Sequence, residues 1–195
     1  MLTREVVHDV LRAVPDPEMP ISIVDLGLVD RFTIERNRDD DRAQIVVDLL
    51  PTFVGCPALD MIAGDVRAKL GALPGVESVI VNWVFDPPWS VDRITPAGRE
   101  SLREHGVTVP ASGHALHVAG HEAPQTVALR TSAVPCPFCG SRSTFLDSPF
   151  GPTRCRTIYY CEGCRNSFEH LKAISAVRTS GKTGSETGRA DRSGA

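Results

Sequence analysis

Cysteine placement carries most of the chemical information in this 195-residue chain. Cys136-Pro-Phe-Cys139-Gly and Cys161-Glu-Gly-Cys164-Arg are two Cys-x-x-Cys pairs, with 21 residues between Cys139 and Cys161. Two such knuckles on a hairpin scaffold place four thiolates tetrahedrally, the arrangement structural zinc requires. The same four ligands would also suit a rubredoxin-like iron site, and two redox disulfides are a further reading. A module of about 40 residues buries too little to stand alone, so metal must supply folding free energy. Cys155 lies inside the same module, in Gly151-Pro-Thr-Arg-Cys155, and a tetrahedral site has no place for it. It reads as a packed or spare thiol, with a redox or cluster role as the alternative.

The sixth cysteine stands apart, in Pro51-Thr-Phe-Val-Gly-Cys-Pro-Ala-Leu-Asp60. Residues 43–50 (AQIVVDLL) precede it as a buried strand. Leu59, Ile62, Ala63, Val66 and Leu70 follow at helical spacing, so a helix runs to about Leu70. Gly55 supplies a permissive turn, Cys56 falls at the helix cap and Pro57 suits the first helical position. Unpaired N–H groups and the helix dipole favour a thiolate there, the form that binds metals and attacks electrophiles. A small buried hydrophobe is the alternative reading of Cys56. The acids Asp16, Glu18, Asp25 and Asp60 fall in loops or at element ends that could approach this turn. Asp60 reads as a first-turn acid. Asp25, inside an apolar run, needs a partner if buried and is the strongest candidate for a functional carboxylate or a turn-former. His114, His117 and His121 would share a face if helical and could then bind metal, but the surrounding Gly and Ala favour a linker. Trp83 and Trp89 read as core, with Trp89 beside two prolines as a candidate interaction edge.

These residues need a scaffold. Residues 3–14 form an amphipathic helix with Val6, Val7, Val10, Leu11 and Val14 on one face and Thr3 as its cap. Three prolines within residues 15–20 end it. A strand at 32–35, a charged loop at 36–42, the strand–turn–helix around Cys56, a strand at 76–85 and a helix at 95–105 follow. The order α-β-β-α-β-α predicts an α+β domain, a small mixed sheet with helices, over residues 1–106. Residues 107–132 read as a linker, 133–175 as the four-cysteine zinc ribbon, and 176–195 as a disordered tail with little to bury.

Composition supports two modules in a soluble globular protein. The net charge of −3 splits into −7 over residues 1–106 and +4 over residues 133–195. The ribbon itself carries five basic residues against three acidic ones, a thin footprint for nucleic acid, so a nucleic-acid-binding ribbon is a secondary reading. No apolar run could span a bilayer, and the first residues do not resemble a signal peptide. The expectation is a cytoplasmic protein, where clustered cysteines bind metal more often than they form disulfides.

Asp16-Pro17-Glu18, Ile23-Val-Asp25-Leu-Gly27 and Thr52…Cys56-Pro57, in that order, resemble the SufT-like domain of iron–sulfur assembly factors. Pro88-Trp89, the helix Thr95-Pro-Ala-Gly-Arg-Glu-Ser-Leu and a ribbon ending Phe168-Glu-His-Leu-Lys-Ala-Ile174 extend the likeness. Together they resemble the PaaD (also PaaJ) family, encoded with the multicomponent phenylacetyl-CoA epoxidase of phenylacetate degradation. The resemblance covers about residues 3–110 and 133–174. It implies an accessory subunit rather than the oxygenase catalyst, assisting maturation of an iron–sulfur or iron centre. The implied partners are the oxygenase and reductase components or the iron–sulfur assembly machinery, without a membrane; a homo-oligomer is left open. Cys56 would be the cluster-handling or reactive thiol, with Thr52, Asp16, Glu18 and Asp25 around it and a labile iron–sulfur cluster as cargo. Cys136, Cys139, Cys161 and Cys164 would hold zinc. A scaffold subunit without metal transfer is the alternative. A thiol enzyme using Cys56 would need a base, and His8 is the only histidine in residues 1–104.

Overall fold

The computed structural model describes residues 2–36, 42–53, 55–111 and 133–172. Helix α1 (Arg4–Arg12) starts where the Thr3 side chain accepts from the Val6 N–H at 3.3 Å, and it carries Glu5 in its first turn and Arg12 in its last. Val7 and Leu11 are buried on its inner face. The chain then folds back through a loop that Asp16 closes, its carboxylate accepting from the backbone N–H groups of Glu18 and Met19 at 2.9 Å each.

Strand β1 (Val29–Arg36) pairs antiparallel with β2 (Ala43–Leu49), and β2 pairs in parallel with β3 (Val76–Trp83). A parallel partner requires a crossover, and helix α2 (Ala58–Gly71) supplies it. The sheet is therefore mixed, in the order β1-β2-β3, as the element order predicts. Central strand β2 buries Ala43, Ile45, Val47 and Leu49 on one face, against Ile62, Ala63, Val66 and Leu70 of α2 in a common core. On the other face Asp48 is also buried, paired with Arg31 at 2.7 Å and accepting from the Asn82 amide at 2.9 Å.

Helix α3 (Pro96–Glu104) is capped by Thr95, whose side chain accepts from the Gly98 N–H at 3.0 Å. Gly98 lets α3 approach the loop before β1: a β-carbon there would lie 2.7 Å from the Asp25 carbonyl oxygen and from Ile21. Trp89 is buried, its indole N–H donating to the Leu26 carbonyl at 3.0 Å. It is core, and the interaction edge considered for it is set aside.

The second sheet contains a contribution that the sequence reading assigned to the linker. Val107–Thr108 form strand β4, which pairs in parallel with β7 (Ser167–Leu171). Strands β5 (Thr144–Ser148) and β6 (Arg156–Cys161) complete the order β4-β7-β6-β5. Two residues are too few to show strand periodicity, which is why β4 read as linker. The seam continues beyond β4. The Glu169 N–H donates to the Gly106 carbonyl at 3.0 Å, and Cys155 and Leu171 join the core cluster of the first domain rather than the ribbon's own. His114, His117 and His121, most of the linker and the tail at 176–195 lie outside the described residues.

His170 of β7 is half-buried against Thr108 of β4, with its Nδ1 2.8 Å from the hydroxyl, and meets the edge of Tyr159. Burial pulls its pKa from 6.5 down to about 4. The folded state thus keeps the imidazole neutral while the unfolded chain protonates it, so this stability is lost as pH falls from about 6.5 toward 4. Between pH 7 and 5 the loss is expected to be about 2 kcal/mol larger in wild type than in His170→Gln. Denaturant unfolding of both proteins across that pH range checks this; parallel pH profiles would refute it.

Candidate metal and thiol sites

The ribbon's own core is small: Cys136, Tyr159, Cys161 and Phe168 are its buried members. Its two knuckles are shaped by backbone hydrogen bonds, Gly140 N–H to the Cys136 carbonyl at 2.9 Å and Arg165 N–H to the Cys161 carbonyl at 2.8 Å. Gly140 and Arg165 follow the second cysteine of each knuckle and take matching left-handed conformations, φ 72° and 60°. This brings the sulfurs of Cys136, Cys139, Cys161 and Cys164 within 4.8 Å of one another. The Cys136–Cys164 and Cys139–Cys161 sulfurs are each 3.6 Å apart. A tetrahedron with metal–sulfur bonds of about 2.3 Å has edges of about 3.8 Å, whereas a disulfide requires about 2.05 Å. The four thiols therefore fit a closed four-sulfur metal site and are not disulfides. Without metal they share protons unequally: hydrogen bonds from Asn166 bring Cys164 down to about 6. The Ser141 N–H pulls Cys139 down, but partial desolvation and hydrogen bonding with the Cys161, Cys164 and Cys136 thiols outweigh it and push Cys139 up to about 12.

The Cys56 turn is shifted by one residue from the sequence reading. Helix α2 begins at Ala58 and Pro57 occupies the cap position, leaving Cys56 just outside. The helix N-terminus still acts on the thiol, since the Ala58 N–H favours its ionised form and pulls its pKa down. Gly55 takes φ 81°, the left-handed conformation that lets the chain reverse ahead of the thiol. The electrostatics overturn the expectation of a thiolate. Burial pushes the thiol above its ordinary pKa, and although the Ala58 N–H opposes this, the negative charges of Glu18 and Asp16 add to it. Cys56 is a protonated thiol at neutral pH in the metal-free protein.

Two of the four flanking residues named from sequence act on this thiol directly. Glu18 and Asp16 do so by charge, and burial also raises the Asp16 carboxyl above its usual range. Thr52 is buried four residues ahead of Cys56. Asp25 serves the scaffold. It accepts from the Ser22 and Thr95 hydroxyls at 2.9 Å each, and Arg12 lies 3.6 Å away. Asp60 sits exposed in the first turn of α2. Sequence reasoning missed that Cys155 and Arg156 belong to this neighbourhood. Arg156 pairs with Glu169 within the ribbon and reaches across to the Glu18 carbonyl at 3.4 Å. The available signal was a fifth cysteine for which the metal site had no use.

An iron–sulfur-assembly fold carrying one cysteine at a helix-entry turn, joined to a four-cysteine ribbon, defines a class, and comparison with known proteins agrees. Residues 4–83 match the family described as iron-sulfur cluster assembly protein, and residues 121–172 match the PaaD zinc beta ribbon domain. A protein of Escherichia coli K12, provisionally named as one of the subunits of 1,2-phenylacetyl-CoA epoxidase, is 38% identical over 172 residues, covering 86% of this chain and 93% of that protein. The chain belongs to the PaaD family. Its first domain is also similar to the Staphylococcus aureus Fe-S protein maturation auxiliary factor SufT, with 37% identity over 45% of this chain and 93% of that one. A Fe-S protein maturation auxiliary factor of Porphyromonas gingivalis is 34% identical over 53% of this chain and 91% of its own length. Among the described residues, no helix is long and apolar enough to cross a membrane.

Proposed function

We propose that this chain is a non-catalytic accessory subunit of the phenylacetyl-CoA epoxidase system. It helps iron–sulfur or iron centres of the oxygenase or its reductase to mature, in the reducing cytoplasm. Cys136, Cys139, Cys161 and Cys164 hold a structural zinc ion, which supplies the ribbon with folding free energy and leaves no open coordination position. Cys56 handles the metal cargo.

The observation carrying this reading is the Cys56 turn itself: a half-buried thiol facing the Ala58 N–H, with Glu18 and Asp16 beside it, in a domain of the iron–sulfur assembly family. A thiol held protonated is protected until a metal arrives. Binding then replaces the proton, which leaves to solvent, and the neighbouring carboxylates favour the incoming cation. The similarity of the first domain to maturation factors supports the same role.

Cys56→Ser tests the proposal. The variant is expected to keep its fold and its zinc, while an epoxidase reductase or oxygenase component co-expressed with it contains several-fold less iron than with wild type. Undiminished iron and sulfide in that partner would defeat the reading. The burial and protonation of Cys56 favour a second one, a scaffold subunit without metal transfer, which predicts that undiminished result.

A further inference from the structure

Resting on that reading, we infer that the groove between α3 and the first cysteine knuckle docks an extended, acidic segment of the protein being matured, which adds a strand to the outer edge of β4. The groove has a volume of about 760 Å³. It is lined by Val107, Thr108 and Val109, by Arg99 and Arg103 of α3, and by Pro135 and Phe138 of the knuckle. Strand β4 ends the order β4-β7-β6-β5, so one of its edges is unpaired. Among the described residues β4 lines the groove and β7 does not, so the groove opens on that unpaired side. The Gly106 carbonyl accepts from the Glu169 N–H at 3.0 Å and therefore faces β7. The next N–H, that of Val107, points the opposite way across the planar trans peptide. Alternation along the strand turns the Val107 carbonyl and the Val109 N–H outward as well. Among the described residues, none of these three groups has a hydrogen-bond partner.

A bare strand edge is a template for another strand. The knuckle alongside cannot fill that role. Pro135 and Pro137 have no N–H, the Cys136 N–H donates to the Ser141 carbonyl at 2.9 Å, and the Val134 carbonyl accepts from the Thr144 hydroxyl at 2.7 Å. Water serves the edge poorly, since Val107 is only 4% exposed. What fits is an extended backbone offering two carbonyls and one N–H. The lining also selects its side chains. Phe138 is 54% exposed, although a β-carbon at Gly106 would lie 2.9 Å from its ring, and it offers an apolar contact. Charge selects an acid. Arg99 donates to the Pro110 and Val91 carbonyls and has no carboxylate partner among the described residues, while Arg103 pairs with Glu100 at 2.6 Å. The groove thus carries two guanidiniums against one carboxylate, and an acidic side chain of the incoming strand balances the second.

The test uses the full-length, zinc-loaded chain and the purified oxygenase and reductase components of the epoxidase, with affinity measured by calorimetry. Val109→Pro removes one outward N–H and touches no bond of the β4–β7 seam. Arg103→Glu reverses the charge of an exposed side chain. Wild type is expected to bind one of the components, and each variant to bind it on the order of tenfold more weakly, with zinc and melting midpoint unchanged. Wild-type affinity in either variant would overturn the inference, as would a wild type that binds neither component. Neither result touches the maturation reading, which stands or falls on the partner's iron in Cys56→Ser. Should Val109→Pro prove unstable, amide exchange at Val109 of wild type decides. Fast exchange in the chain alone that slows at least about tenfold on adding the component supports strand addition. An unchanged rate overturns it. So does protection already present in the chain alone, because the edge would then be filled by this chain itself.

Discussion

Cys161→Ser is expected to unfold the ribbon outright while leaving the first domain folded. Cys161 is 0% exposed and lies at the end of β6, so it is both a metal ligand and one of the four buried members of the ribbon's core. That core is too small to hold a four-stranded sheet. Metal binding at a site of four cysteine thiolates contributes about 10–16 kcal/mol to folding, more than the roughly 3–5 kcal/mol that a core of this size supplies. Losing one ligand leaves three thiols crowded around a site that no longer closes. The β4–β7 pairing should fail with it, exposing Leu171 and Cys155 from the shared core. The first domain has its own sheet, two-sided burial of β2 and three helices, and needs none of the ribbon's metal. Zinc analysis, circular dichroism and limited proteolysis check this: zinc should fall to nil and cleavage should concentrate within residues 133–172. A protease-resistant ribbon in the variant would refute a metal-dependent fold. Strong chelation of the wild type should reproduce the variant.

Arg156→Ala is expected to cost about 3 kcal/mol, the lower end of what breaking a buried ion pair costs. Arg156 has a side chain 8% exposed and Glu169 one 25% exposed, so the carboxylate left behind would be only partly rescued by water. The guanidinium also donates to the Thr153 hydroxyl at 2.8 Å, and it contacts the Glu18 carbonyl of the other domain. Its removal therefore loosens the turn bearing Cys155 as well as the seam. Denaturant unfolding of zinc-loaded protein measures the cost. Arg156→Met combined with Glu169→Leu should recover most of it, because an apolar pair of similar volume avoids stranding a charge. A loss below about 1 kcal/mol would place the pair among solvated surface bridges.

Much of this was legible in the chain, for reasons that can be named. The four-cysteine metal site was readable because four ligands at fixed short spacings overdetermine it; the knuckle geometry follows from Gly140 and the residue after Cys164. The α-β-β-α-β-α order was readable because Val7 and Leu11 of α1, and Ile62, Val66 and Leu70 of α2, repeat at the helical period. What escaped was non-local. The state of the Cys56 thiol depends first on its burial in the folded domain and then on Glu18, which is 38 residues before it, so the local helix-dipole argument pointed the wrong way. Asp25 showed as a carboxylate in an apolar run, but only the fold shows that Thr95 and Ser22 occupy it. Strand β4 was hidden by its length.

The pairing of Val107–Thr108 with Glu169–His170 bears on how such a chain can evolve. The two sides of the seam lie 62 residues apart in the chain, Val107 opposite Glu169. Loop closure penalises added length only logarithmically. The cost of bringing these two sides together thus depends little on the exact length between them, and the pairing itself fixes the register. A substitution in β4 is therefore answered by its partner residues on β7, Glu169 and His170, and not by its neighbours in sequence.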